Sequence, residues 1–114
     1  MKNYTPIRVG NKVIGQVRGD AFIKRVQASR HFLTTPPAIA LDVGSLAQAE
    51  RTGARRVHVI DTKTGTIYRA SIEHIRRAGF EINRGFGRQI ALTLDGWTKS
   101  GPGELLADQL SLWG

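Results

Sequence analysis

The chain has 114 residues, no cysteine, and 17 Lys and Arg against 9 Asp and Glu, a formal net charge of +8. That length suits one domain with a continuous core and is too short for two, and the lack of cysteine removes disulfides, thiolate metal sites and a cysteine nucleophile together. The opening MKNYTPIRVG has no apolar run of the signal-peptide kind and no stretch approaches the roughly 20 apolar residues of a membrane span, so the expected location is the cytoplasm.

From the N-terminus, IRVGNKVIGQVRGDAFIKRV alternates apolar and polar residues around Gly10-Asn11 and Gly19-Asp20, which predicts a strand meander with tight turns. Its apolar set, Ile7, Val9, Val13, Val17, Phe22 and Val26, is expected to face a core. Pro36-Pro37 then breaks any regular element, and AIALDV reads as a short buried strand. VGSLAQAERTG reads as a helix with Ser45 as N-cap, Gln48 completing a capping box and Gly53 ending it. In RRVHVIDTKTGTIYRA, Val57, Val59, Ile67 and Tyr68 flank a turn closing on Thr64-Gly65, the pattern of a hairpin. SIEHIRRAG predicts a second helix from an N-cap at Ser71 to Gly79, with Ile72 and Ile75 turned inward. FEINRGFGRQIALTLDGW predicts another hairpin, whose second strand alternates Ile90, Leu92 and Leu94.

This succession predicts an α+β domain over residues 1–98, a mostly antiparallel sheet of short strands with two short helices on one face. After Trp97 the run TKSGPGE holds two glycines and a proline with no periodic apolar residue. Residues 99–108 therefore read as a linker, and residues 109–114 as a C-terminal peptide.

Charge is unevenly spread. Residues 1–41 carry seven basic groups and one acid, residues 42–103 ten and six, and residues 104–114 no base and two acids. A positive surface of this kind concentrates polyanions and binds phosphate backbones in a salt-dependent way, so a nucleic acid is the expected partner, with DNA favoured over RNA. The candidate contacts are Lys24, Arg25, Arg30, Arg55, Arg76, Arg77, Arg84, Phe86 and Arg88. Adjacent basic residues on a strand point to opposite faces, so only one of Lys24 and Arg25 can join a given surface. RGFGRQIA, residues Arg84 to Ala91, resembles the start of the RNP1 signature of RNA-recognition domains over its first four positions. The later stacking rings are absent, so the stretch reads first as a glycine-rich turn carrying Phe86 between two guanidiniums.

Catalytic chemistry is sparse. Asp42, with Asp61 and Lys63 in an Asp-x-Lys arrangement, superficially resembles the PD-(D/E)xK nucleases, which hold a divalent cation on two carboxylates beside a lysine. Lys63, however, falls in DTKTG, where Asp61 and Gly65 look like turn residues. His31, His58 and His74 lack ligand spacing, His58 is expected on the strand side opposite Val57 and Val59, and no metal or other cofactor is assigned. No serine sits in a nucleophile elbow, and whether the chain is an enzyme stays open, with a non-enzyme favoured.

The last residues carry the most specific pattern. As a helix, ELLADQLSLWG places Leu106, Leu110 and Trp113 on one stripe that would pack on the sheet. As an extended peptide, Gln109, Leu110, Leu112 and Trp113 in QLSLW resemble the linear motif by which bacterial replication and repair proteins dock on the DNA sliding clamp. That resemblance implies a glutamine at the rim of a pocket filled by the second leucine and the aromatic ring, and it names the clamp as partner. Together with the basic body it implies a DNA-associated adaptor in replication, repair or the maintenance of a mobile element. Two alternatives stand beside it: a metal-dependent nuclease on Asp42, Asp61 and Lys63, and an interaction or inhibitor module without nucleic acid whose C-terminus is a packed helix.

Overall fold

The computed structural model describes residues 4–26, 38–84 and 87–100. In chain order these form β1 (Tyr4–Val9), β2 (Lys12–Arg18), β3 (Ala21–Val26), β4 (Ala38–Asp42), α1 (Val43–Arg51), β5 (Arg56–Asp61), β6 (Ile67–Ser71), α2 (Ile72–Ala78), β7 (Phe80–Arg84), β8 (Gly87–Thr93) and β9 (Thr98–Ser100). A 3-10 turn over Leu94–Gly96 joins the last two strands. The fold class is α+β.

The meander forms where its glycines allow. Gly10 and Gly19 take φ values of 60° and 61° at the heads of two-residue turns, while no non-glycine residue among those described has positive φ. Only the first central residue of such a turn then needs the left-handed region, the pattern of type II′ hairpins. β1, β2 and β3 pair antiparallel in succession. β3 then pairs parallel with β5, Phe22 beside Val57 and Lys24 beside Val59. β6 and β9 complete a six-stranded sheet in the order β1-β2-β3-β5-β6-β9, and β4-β8-β7 make a second, three-stranded antiparallel sheet.

The main core lies between these layers. Ile7, Val17, Phe22, Val57, Val59 and Tyr68 from the large sheet meet Ile39, Leu41, Ile90 and Leu92 from the small one, with Leu46 and Ala49 of α1 and Ile72 and Ile75 of α2 closing the sides. The helices thus share the second layer with a sheet, where the sequence pattern led us to expect helices alone. α1 packs on β1, β4 and β8, and α2 on β6 and β8. Ala21, Ile23, Ile60 and Ile67 form a second apolar cluster. Their positions are out of phase with Phe22, Val59 and Tyr68, so they occupy the opposite face of the large sheet.

Three expectations are corrected. Val9 and Val13 are each 48% exposed, not in the core. A bulge shifts the β1–β2 register between Ile7 and Arg8, so that Ile7 faces Gly15 while Arg8 faces Val13. The extra residue, Ile14, takes the inward place against the core and reverses the phase of the hairpin tip. The cap of α1 is Asp42, whose Oδ2 accepts from the Ser45 backbone N–H at 2.8 Å and from Ser45 Oγ at 3.0 Å. The Asp42 carboxylate one residue before Val43 outcompetes the hydroxyl of Ser45, and the helix starts three residues earlier than the serine signal implies. Gln48 is consequently free of a capping box and clips the edge strand, its amide donating to the Arg8 carbonyl and accepting from the Arg8 N–H, both at 3.1 Å. Finally, β9 carries the domain through Lys99 and Ser100, two residues into the stretch read as linker.

Other ends agree with the sequence pattern. Gly53 follows α1 at φ 107°, and Ser71 Oγ accepts from the His74 N–H at 3.0 Å to cap α2, which stops at Gly79. Trp97 is 5% exposed and donates from Nε1 to the Leu92 carbonyl at 3.0 Å, so its polar atom is satisfied inside the core. Among the described residues no helix is long and apolar enough to cross a membrane.

Candidate nucleic-acid interface

At one end of the large sheet the backbone around Arg55 and Arg56 is pinned from two sides. The Asp20 carbonyl accepts from the N–H groups of Arg55 and Arg56 at 2.7 and 3.0 Å, and the Arg55 carbonyl accepts from the first N–H of α2, that of Ile72, at 2.9 Å. The turn between β2 and β3 and the start of α2 thereby fix where both arginine side chains leave the chain. Arg56 donates from Nη2 and Nε to Asp20 Oδ1 at 2.7 and 3.2 Å. That bond is the main reason the Asp20 carboxyl is held below its ordinary pKa of 3.8.

Arg55 and Arg76, two of the predicted contacts, line one open cleft of about 610 Å³ together with Arg56, Glu50 and Glu73. Arg76 is held there by an ion pair with Glu50. Arg55 is exposed and makes no ion pair among the described residues. Beside the cleft, Arg18 is in register with Ala21, and Ala21 with Arg56. Two guanidiniums therefore share a sheet face across the smallest side chain that leaves them room. Arg18, Arg55, Arg56 and Arg76 gather at this end among Asp20, Glu50 and Glu73; Arg56 is engaged by Asp20 and Arg76 by Glu50, which leaves Arg55 as the guanidinium of the cleft with no ion pair among the described residues to offer bidentate donors to phosphate oxygens.

The remaining predicted contacts are dispersed. Lys24 and Arg25 do point to opposite faces: Arg25 is exposed, whereas Lys24 is half-buried on the core side in register with Val59. Burial pushes the Lys24 pKa down, opposed by the Asp42 carboxylate, so Lys24 belongs to the inter-layer space and not to the basic end. Arg77 lies on the outer side of α2, 71% exposed and 3.9 Å from Glu73. Arg88 pairs with Glu81 at 2.6 Å across the β7–β8 hairpin. Arg84 ends β7. Arg30, Phe86 and the clamp-motif residues Gln109, Leu110, Leu112 and Trp113 lie outside the described residues.

Asp42, Asp61 and Lys63 are occupied locally. Asp42 caps α1, as above. Asp61 is buried and organises its turn, with Oδ1 accepting from the Lys63 N–H at 3.0 Å and Oδ2 from Thr64 Oγ1 at 2.9 Å. Lys63 is exposed in that turn, and among the described residues no group of three or more His, Asp or Glu side chains is placed to hold a metal. His58 points away from Val57 and Val59, as its alternation requires, and is 7% exposed. Burial first, then the charges of Arg56 and Arg69, push its pKa from 6.5 to about 4, so the ring is neutral at pH 7.

Arg18 and Arg56 were absent from the predicted contacts, although the signal was present. Both are out of phase with the core positions Val17 and Val57, which marks the non-core face; only the long-range register shows that they meet. Comparison with family models, curated proteins and solved structures found no match to this chain.

Proposed function

We propose that this chain is a small, basic, cytoplasmic DNA-associated adaptor with no catalytic role of its own, holding nucleic acid through its domain and docking on the bacterial sliding clamp through its C-terminal peptide. The observation that carries the reading is the convergence of Arg18, Arg55, Arg56 and Arg76 at one end of a body whose net charge is +8. Arginine clusters of this kind position a protein on a phosphate backbone without reading sequence. The described strands run to Ser100, and QLSLW begins nine residues later in sequence, at Gln109, behind a stretch with two glycines and a proline. A short peptide binds weakly alone, and tethering it to a DNA-bound domain raises its effective concentration at a clamp that encircles the same DNA.

The test of the domain half is fluorescence anisotropy with a labelled duplex at several salt concentrations. Binding should weaken steeply from low to moderate salt, and Arg55→Glu should lower the affinity and reduce the salt slope by about one phosphate contact. Binding indifferent to salt, or to Arg55→Glu combined with Arg18→Glu, would remove the interface and favour an interaction module without nucleic acid.

A further inference from the structure

On the face of the large sheet turned away from the core, three polar side chains share one row. Gln16 of β2 is in register with Ile23, Ile23 with His58, and His58 with Arg69 of β6. Gln16 and His58 are 6% and 7% exposed. Even so, among the described residues Gln16 Nε2, both ring nitrogens of His58 and Arg69 Nε find no hydrogen-bond partner. Arg69 uses its Nη2 on Ser100 Oγ. The next row holds Ile60 and Ile67, each 1% exposed, and Ser100.

Buried polar atoms are almost always satisfied, so a row of unmatched ones beside an apolar strip marks a surface built for an occupant. The occupant must be apolar and must bring acceptors, because the strand positions of this face contain arginine, histidine and glutamine but neither Asp nor Glu, and the Asp20 carboxylate at its end is engaged by Arg56. A second copy would bring the same arginines. Residues 27–37 bring Arg30 and no acid. Residues 101–114 bring Glu104 and Asp108, no base, four leucines and Trp113.

The connection is direct. The segment follows β9, the edge strand whose Ser100 already lies on this face. Its 14 residues reach about 46 Å when extended, or about 21 Å as a helix. Six strands span about 24 Å.

We propose that this face is the seat of the chain's own C-terminal segment, residues 101–114, with its leucines and Trp113 on Ile23, Ile60 and Ile67 and its carboxylates accepting from Arg69 and Gln16. The seat stands independently of the adaptor reading. If that reading holds, seat and clamp compete for the same leucines and Trp113, and the clamp meets only the unseated fraction.

The test uses the full chain with neither clamp nor DNA present, so its failure is separate from any failure of the adaptor reading. Methyl NMR of isotope-labelled isoleucines compares the unaltered chain with Glu104→Lys/Asp108→Lys and with Leu110→Ser/Trp113→Ser. None of these substitutions lies among the described residues. The expected result is a shift of Ile23, Ile60 and Ile67 in both variants, with Ile39 and Ile75 of the main core unchanged. Trp113 emission, isolated by difference against Trp113→Phe, should be protected from acrylamide in the unaltered chain and lose that protection on charge reversal. Unmoved Ile60 and Ile67 methyls in both variants, or a freely quenched Trp113 in the unaltered chain, would overturn the seat. Shifts that follow protein concentration would assign the face to a second copy and overturn it equally.

Discussion

His58 and Arg69 stand directly opposite each other in the β5–β6 ladder, and burial beside a guanidinium keeps the imidazole uncharged. The folded chain refuses a proton at His58 until about pH 4, whereas the unfolded chain accepts one near the ordinary value of 6.5. Between those values the unfolded state binds more protons, so stability rises with pH. The contribution of neutral His58 is therefore complete above about pH 6.5 and is lost progressively as the pH falls towards 4, by about 3 kcal/mol in all. Urea unfolding at pH 7 and pH 4.5 should show this loss, and His58→Gln should flatten it; an NMR titration midpoint of His58 near 6.5 would contradict it.

Trp97 is the large aromatic side chain that closes the main core next to β9. Truncation to Ala should cost about 3–5 kcal/mol, the range for removing a buried aromatic ring. Trp97→Phe keeps most of the volume but leaves the Leu92 carbonyl without its donor, and should cost about 1–3 kcal/mol. Denaturant midpoints of the two variants separate packing from the hydrogen bond.

Asp42 offers a check on where α1 begins. Asp42→Ala removes the acceptor of two bonds from Ser45 and should cost about 1 kcal/mol. Asp42→Asn retains an acceptor and should cost much less. Neither change should affect any cleavage of DNA in magnesium, since Asp42 acts as a cap; loss of a nuclease activity on Asp42→Asn would reinstate the metal-dependent alternative.

These sites show which parts of the molecule could be read from the chain. The cap of α2 at Ser71, the glycine turns and the alternation of β5 and β6 are local, and each rests on residues within a few positions of one another. The second sheet is not local: β4 pairs with β8, Ile39 beside Leu92, and both strands read as buried without stating their partner. The parallel β3–β5 pair is equally silent in sequence. Val9 and Val13 were misplaced because a one-residue bulge inverts a period-2 pattern without leaving a compositional mark. The same blindness to register explains the interface. Arg55 and Arg76 could be named as basic, but their meeting depends on α2 being anchored at the Arg55 carbonyl, and the grouping of Arg18 with Arg56 depends on strands far apart in the chain.

The adaptor account is tested most directly by calorimetric titration of purified bacterial sliding clamp with the intact chain and with a chain lacking residues 109–114. The account predicts saturable binding by the intact chain and none by the shortened one, with the circular dichroism of the domain unchanged. No binding by the intact chain, or equal binding by both, would contradict it.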